Sequence, residues 1–495
     1  MARLGVAKVK TGCITCKCAS TGRRCDGYVT PPTGTYSWAQ LLRVHPPPTQ
    51  AASDAELRAL SFFRKVVAPV LSGPLDSYFW THLVSQVSYQ ELAARHAALA
   101  ISSLYEKVEE DRHGEKNPFA VAHYNEAIKH LRTTNNQETV LFVCILFVCI
   151  DMLRGEGKGA VEHCRHGVNI LNGSKSSSRF LRDHLEPAFC RLGVFPFFFG
   201  ARPDTFPSVP DLCSYPVPPL YNIEQVQGVL DPLLVRAIRF ARAADGYRLG
   251  DETYPEPGPT LLQQKDDMDK MLDDWAAEFQ AYLVQKSPRS CKRAAMREEL
   301  MERLLEMKYL VGKIWLSTCM SRREESHDLH LDKFQRIIEL GREVESTSRD
   351  RGQRIDRAKF TFEMGFSPLL GFVFIKCRSL TLRIAALGLM KTIANEKENL
   401  WDSNTVLACG RKVVEFEHEL DLGPDECIAD VFDDGTMPPE GRRIKDLAMQ
   451  NEVRIVSGKD GAVTMWRKVA FLMREHDGPI TVTKEWFRVH FKRKS

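Results

Sequence analysis

Thr139–Leu153 reads Thr-Val-Leu-Phe-Val-Cys-Ile-Leu-Phe-Val-Cys-Ile-Asp-Met-Leu, and it limits the architectures open to this chain more than any other stretch. It is shorter than the roughly 20 residues a helix needs to cross a bilayer, and Asp151 interrupts it. A segment apolar on every side and too short for a membrane is a helix at the centre of a core. Other helices must then surround it.

The flanking sequence supplies them. From Asp54, Leu57, Leu60, Phe63 and Val67 share one helical face, with Asp54 as candidate N-cap. Asp76–Val87 starts at another Asp and carries Phe79, Trp80, Leu83 and Val87. Gln90–Glu110 turns Leu92, His96, Leu99, Ile101 and Leu104 inward. Phe119–Leu131, Glu138–Leu153, Ala160–Leu171 and Phe180–Phe199 extend the series, and the proline-rich Gly200–Tyr221 reads as a surface loop. A second set follows: Val226–Tyr247, Leu261–Val284, Cys291–Cys319, Leu331–Ser346, Pro368–Ile393 and Ser403–Leu420. Nothing before residue 445 alternates with period two, and no repeat of about 34 or 40 residues recurs. Helices of unequal length predict one large all-α domain over 54–445. The tail, 446–495, is β-rich. Val453–Trp466 suits two arms around a Gly-Lys-Asp-Gly turn, and Lys468–Met473 and Ile480–Phe491 suit strands. The expected fold class is mainly α, with a small C-terminal β-hairpin or three-stranded sheet.

At 495 residues the chain has room for two or three domains. Its hydrophobic (43%) and charged (27%) fractions are those of an ordinary soluble globular protein. The net charge of +4 gains meaning once located. Residues 1–45 carry Arg3, Lys8, Lys10, Lys17, Arg23, Arg24 and Arg43 against Asp26, or +6, which leaves −2 for the rest. A basic arm on a near-neutral body is the footprint of a nucleic-acid contact, although a solvated basic tail sums to the same value. Residues 29–53, with Pro31, Pro32, Pro46, Pro47 and Pro48, form an extended linker. Met1–Lys17 contains no apolar segment of the signal-peptide kind. Cys144, Cys149, Cys164, Cys190, Cys213, Cys291, Cys319, Cys377, Cys409 and Cys427 are scattered, most among apolar neighbours. Free thiols in a reducing compartment are the expectation.

Residues 1–28 are different. Cys13, Cys16, Cys18 and Cys25 crowd into Lys10–Tyr28 beside Lys8, Lys10, Lys17, Arg23 and Arg24. So short a stretch cannot bury a core, and thiolate–metal bonds are the usual substitute inside a cell. A basic terminus without metal has the same composition. Lys10-Thr-Gly-Cys-Ile-Thr-Cys-Lys17 and Cys18-Ala-Ser-Thr-Gly-Arg-Arg-Cys-Asp-Gly-Tyr28 resemble the two ends of the fungal binuclear zinc cluster. In that family six cysteines, Cys-x2-Cys-x6-Cys twice around a short loop, share two zinc ions. On this match Cys13 and Cys16 correspond to the first and second ligands, and Cys18 and Cys25 to the fifth and sixth. The third and fourth cysteines and the basic turn that enters the major groove are missing between Lys17 and Cys18. The gap reads as a deletion, in the gene itself or through a mispredicted exon boundary. The body resembles the family as well. Ala93–Glu106, Leu141–Gly155 and His163–Leu171 look like helices near the start of the regulatory domain of fungal zinc-cluster regulators. The likeness covers roughly 55–200 well and the rest loosely.

The resemblance implies a nuclear transcription regulator that binds promoter DNA at CGG-like triplets, often as a homodimer, with zinc as cofactor and a small-molecule effector as a further partner. It implies Cys13, Cys16, Cys18 and Cys25 as metal ligands. Lys8, Lys10, Lys17, Arg23 and Arg24 would contact phosphate. Four thiolates complete one tetrahedron at most, so zinc-dependent sequence reading is expected to be impaired in this chain. The other reading is a non-DNA-binding regulatory partner or ligand-sensing helical protein derived from that family.

Enzyme signatures are missing from the sequence. Gly155-Glu-Gly-Lys-Gly159 lacks the P-loop spacing and is expected to be a turn. No Gly-x-Ser-x-Gly or His-Glu-x-x-His occurs. His163 and His166 share a helix face but have no third ligand in sequence nearby. Asp266–Asp267 and Asp433–Asp434 look like solvated acids. Phe195-Pro-Phe-Phe-Phe199 is expected in a core or as the wall of a ligand cavity.

Overall fold

The first helix, α1 (Asp54–Phe62), starts at Ser53 and not at Asp54. The Ser53 hydroxyl accepts from the Glu56 amide at 3.3 Å, and the Glu56 carboxylate accepts from the Ser53 amide at 2.8 Å. This reciprocal cap leaves Asp54 in the first turn, where its charge suits the helix dipole. The computed structural model describes residues 53–489 apart from 76–77, 111–115, 175–177, 211, 214, 251–253, 255, 288–290, 351–356, 424–434, 458–462 and 475–477. The cysteine-rich segment 1–28, the linker up to residue 52 and Asp76 lie outside the described residues.

α1 runs through a π turn (Phe63–Val67) into α2 (Ala68–Leu71), and a second π turn (Phe79–Leu83) leads into α3 (Val84–Gln90). Next come α4 (Leu92–Glu109), α5 (Pro118–Leu131), α6 (Gln137–Arg154) and α7 (Gly157–Asn172). α6 contains the apolar run, and every residue from Leu141 to Leu153 is buried. α4 packs on it with a face of small residues, Ala93, Ala94, Ala97, Ala98 and Ala100. Leu92, His96 and Leu104, expected inward, are only half-buried. Close helix approach favours the alanine face over the bulkier one. Gly155 ends α6 in the left-handed region (φ +75°), so the expected turn is present at Gly155 and Glu156 only, and Gly157–Gly159 already belong to α7. Gly167 lets α7 reach the Phe189 ring: a Cβ there would stand 2.3 Å from it.

The helix expected over Phe180–Phe199 is broken. A π turn (Leu181–Leu185), α8 (Glu186–Leu192) and a 3-10 turn (Phe195–Phe198) replace it. Gly193 caps α8, and Pro196 cannot continue an α-helix. The loop from Gly200 to Tyr221 contains no helix or strand among its described residues and is pinned by Phe206 and Leu220, both buried.

The second helical set comprises α9 (Ile223–Ala243), α10 (Asp245–Leu249), α11 (Pro259–Gln285), α12 (Lys292–Thr318), α13 (Leu331–Asp350), α14 (Phe366–Lys376), α15 (Leu380–Thr392) and α16 (Ser403–His418). One helix was expected over Pro368–Ile393. The chain instead turns extended at Cys377 and Ser379, which brings the fully buried Arg378 to the Lys376 and Ile444 carbonyls and to Glu417. A hairpin of β1 (Lys397–Glu398) and β2 (Trp401–Asp402) precedes α16. It is too short to leave a period-two signal, and Asn399 occupies its left-handed position (φ +59°).

The tail is an antiparallel sheet in the order β3 (Ile444–Ser457), β4 (Val463–Arg474), β5 (Ile480–Val489). Register pairs Val453 with Arg467 and Met473 with Thr481. β4 is one continuous strand where the sequence suggested the arm of a hairpin and a separate strand. Val469, Phe471, Phe487 and Val489 pack on Cys409 and Val413 of α16. Two larger cores make up the helical body. One surrounds α6, and the other lies among α9 and α11–α15. Among the described residues no helix is long and apolar enough to cross a membrane.

Candidate functional site

The two cores meet at a cavity of about 100 Å3. By the same measure a water molecule takes roughly 10–15 Å3, so several would fit. α9 contributes Asp231, Leu234, Val235 and Ile238; α12 contributes Lys308, Val311, Gly312 and Trp315; α14 contributes Pro368, Leu369 and Phe372. Arg191, Phe198, Glu363 and Met364 help to close it.

Local sequence explains how these walls are held. The 3-10 turn at Pro196 sends Phe195 and Phe197 into the first core and leaves Phe198 on the cavity. Phe198 meets Trp315 with ring centres 5.5 Å apart, and Trp315 meets Phe372 at 6.1 Å. At Gly312 a Cβ would lie 2.6 Å from Leu234 Cδ2, so α12 approaches α9 closely only because that residue is glycine. Glu398, fully buried, accepts from the amides of Gly365 (3.2 Å), Ser367 (2.7 Å) and Asn395 (3.0 Å). Burial pushes this carboxyl up, against the pull of those amides. It fixes the start of α14 and hence Pro368 and Leu369.

Polar groups are few and placed at the wall. Arg191 Nε donates to Glu363 Oε1 at 3.2 Å, with side chains only 11% and 14% exposed. The buried Asp231 accepts from Gln227 at 3.0 Å. Apolar and aromatic lining with a few charged groups suits a small molecule having an apolar body and one polar end.

Cys13, Cys16, Cys18 and Cys25, with Lys8, Lys10, Lys17, Arg23 and Arg24, lie outside the described residues. Among the described cysteines, burial pushes the Cys144 and Cys377 thiols up to about 11 and the Cys319 and Cys409 thiols up to about 12, which suits packing and not thiolate chemistry. His163 and His166 are not joined at a common site. His163 Nε2 lies 3.5 Å from Asp151 Oδ2 and 3.3 Å from the Tyr124 hydroxyl, while His166 is exposed. Asp266 and Asp267 are exposed, as expected. Sequence reasoning reached the cavity only through Phe195–Phe199. Trp315, Phe372 and Asp231 come from separate helices and form no motif, so nothing local marks them.

No solved structure matches this chain. A cluster-specific transcription regulator of aspercryptin biosynthesis from Emericella nidulans is 24% identical over 342 residues. The match takes in 56% of this chain and 54% of that regulator, so the chain spans about half the length of the relative it matches. The family described as fungal specific transcription factor domain matches residues 58–353, from within α1 to just beyond α13, and so takes in most of the first core, the α9 and α11–α13 part of the second, and the α9 and α12 walls of the cavity. That span is more than half of the protein, which belongs to the fungal specific transcription factor domain family.

Proposed function

We propose that this protein is a nuclear transcription regulator. Its helical body is the regulatory domain, and its cavity receives a small-molecule effector. The family match over 58–353 carries the reading. The cluster-specific regulator from Emericella nidulans supports it, since the likeness extends over about half of each chain. The cavity supports the effector role because it lies between the two cores, where occupancy can alter how they pack. DNA contact would come from the basic arm, Lys8, Lys10, Lys17, Arg23 and Arg24, with Cys13, Cys16, Cys18 and Cys25 holding one zinc ion. The second reading, a regulatory partner that does not itself read DNA, is favoured by one observation: residues 1–28 hold four cysteines where two shared zinc ions need six.

Tethering the full chain to an unrelated DNA-binding domain tests the regulatory role. Reporter transcription is expected to rise or fall, and Val311→Trp, which fills the cavity, is expected to change that output. An unchanged reporter with the parent chain would overturn the reading. A salt-titrated binding assay separates the two variants of it. Binding to any duplex at low salt, lost near physiological salt and with little preference for CGG, is the expected behaviour of a phosphate-contacting arm. Failure to bind even at low salt would leave the regulatory-partner reading standing alone.

A further inference from the structure

Glu56 on α1, His96 on α4 and His123 on α5 converge although they are distant in sequence. One ligand atom from each lies within 4.8 Å of the other two. The two imidazoles face each other through Nδ1 at 2.9 Å, their rings stacked with centres 5.1 Å apart. His130 stacks on the outer face of the pair, 5.5 Å from His96, and Phe119 packs edge-on to His123 at 4.2 Å. All three residues are half-buried, so the site is sheltered yet reachable from solvent.

Two facing Nδ1 atoms can share only one proton. One ring must present a lone pair, and a metal ion in place of that proton would use both. Neutral imidazole is the form that binds metal. A tetrahedral ion with bonds of about 2.0–2.1 Å spaces its donors about 3.3 Å apart. The two Nδ1 atoms, 2.9 Å apart, stand a little inside that value, and the three ligand atoms all lie within 4.8 Å of one another. Glu56 can serve while its Oε2 still accepts from the Ser53 amide, since a carboxylate has two oxygens.

We propose that Glu56, His96 and His123 form a binding site for a late divalent transition metal such as zinc, separate from the N-terminal cysteines, with the fourth position open to water. Two imidazoles and one carboxylate are a donor set that zinc accepts. The ion would staple α1, which follows directly on the basic arm and linker, to α4 and α5 around the first core. Metal availability would then set how firmly the arm is anchored to the helical body.

The test uses the untagged full chain with Cys13, Cys16, Cys18 and Cys25 each replaced by serine. It is titrated with Zn2+ by equilibrium dialysis and with Co2+ as the coloured probe. One ion per chain is expected, with visible ligand-field absorption and no near-ultraviolet thiolate band. His123→Gln and Glu56→Gln should each weaken binding by about tenfold or more, with the helical circular dichroism unchanged. The melting temperature of the parent should rise with Zn2+ concentration, and that of each variant much less. Glu56→Gln keeps an acceptor for the Ser53 amide, so it decides the matter should His123→Gln fail to fold. No binding, thiolate absorption, or affinity unchanged in Glu56→Gln would overturn the site.

Discussion

Leu146, in the middle of α6, and Glu417, near the end of α16, are both buried, and the molecule satisfies them by opposite means. Around Leu146 every neighbour along α6 is apolar, and the contacts have no preferred direction. Glu417 sits between two fully buried arginines. Its Oε1 lies 3.3 Å from Arg378 Nη2, and its Oε2 accepts from Arg383. It also accepts from the Ile444 amide at 2.6 Å, where β3 begins. Nearby, Glu324 is reached by Lys376 at 2.9 Å and Arg378 at 3.3 Å, and Lys376 donates to the Lys445 carbonyl at 2.6 Å. The helical body is thus joined to the sheet through charge and hydrogen bonds at fixed positions. The first core only needs to be filled; the seam with the sheet also needs its register. An apolar core gains stability from area, whereas a buried ionic seam gains little net energy and penalises any missing partner.

The largest effect should therefore come from the seam. Glu417→Ala leaves Arg378 and Arg383 buried without their carboxylate and leaves the Ile444 amide unsatisfied. A loss of about 3–5 kcal/mol is expected in urea unfolding. Hydrogen exchange at Ile444 should accelerate before exchange within α6 does, because the sheet loses its anchor first. Replacing all three groups, Arg378→Met, Arg383→Met and Glu417→Leu, should recover much of the loss but not all of it, since the Ile444 amide and carbonyl still lack partners. A single variant as stable as the parent would remove the contrast between the two regions.

Leu146→Ala comes next. A fully buried leucine truncated to alanine costs about 3 kcal/mol, set by how far the surroundings collapse. The melting temperature should fall by a similar amount at any pH between about 5 and 8, because no titrating group gains or loses a partner. A marked pH dependence would mean that charges reach this part of the core after all.

The same contrast decided what could be read from the sequence. α6 was legible because an unbroken apolar run too short for a bilayer allows only one placement. The sheet was legible because Val453–Trp466 and Ile480–Phe491 show β-like patterning around turn residues. The seam was not. Arg378, Arg383 and Glu417 look like any solvated charges in a linear sequence, and their burial is settled by partners 27 to 66 positions away. The break at Cys377–Ser379 was missed for that reason, since tertiary ion pairing overrode an apolar pattern that would have continued the helix. The cavity was half legible: an aromatic cluster stood out at Phe195–Phe199, but its facing wall comes from helices more than thirty residues further on. The Glu56–His96–His123 cluster left no trace, because its members are single residues on three helices.

The smallest effect tests the one point where the two kinds of burial meet. Asp151 is the only charge inside the apolar stretch of α6, with its side chain 6% exposed. Its partners are imperfect: Arg154 lies 3.7 Å away and His163, whose pKa burial lowers, 3.5 Å away. Burial pushes the Asp151 carboxyl up to about 6. The folded state therefore keeps a proton that the unfolded chain, titrating near 3.9, has already released. Stability from this source is fully present below the unfolded value and is lost as pH rises through about 6. Two units correspond to about 3 kcal/mol at most, less where Arg154 compensates. The seam carboxylates titrate in the opposite sense. Burial pushes Glu324 and Glu417 up, but the surrounding cations outweigh it and hold both below the usual range. Their stabilisation is present above the ordinary carboxylate pKa and is lost as pH falls below it. Unfolding free energy measured from about pH 4 to 8 should accordingly show a shallow maximum near pH 5. Asp151→Asn should flatten the alkaline side and leave the acid side unchanged. A variant whose decline between about pH 5 and 6.5 matches that of the parent would show that Asp151 is ionised in the fold throughout, and that α6 tolerates a charge as readily as the seam does.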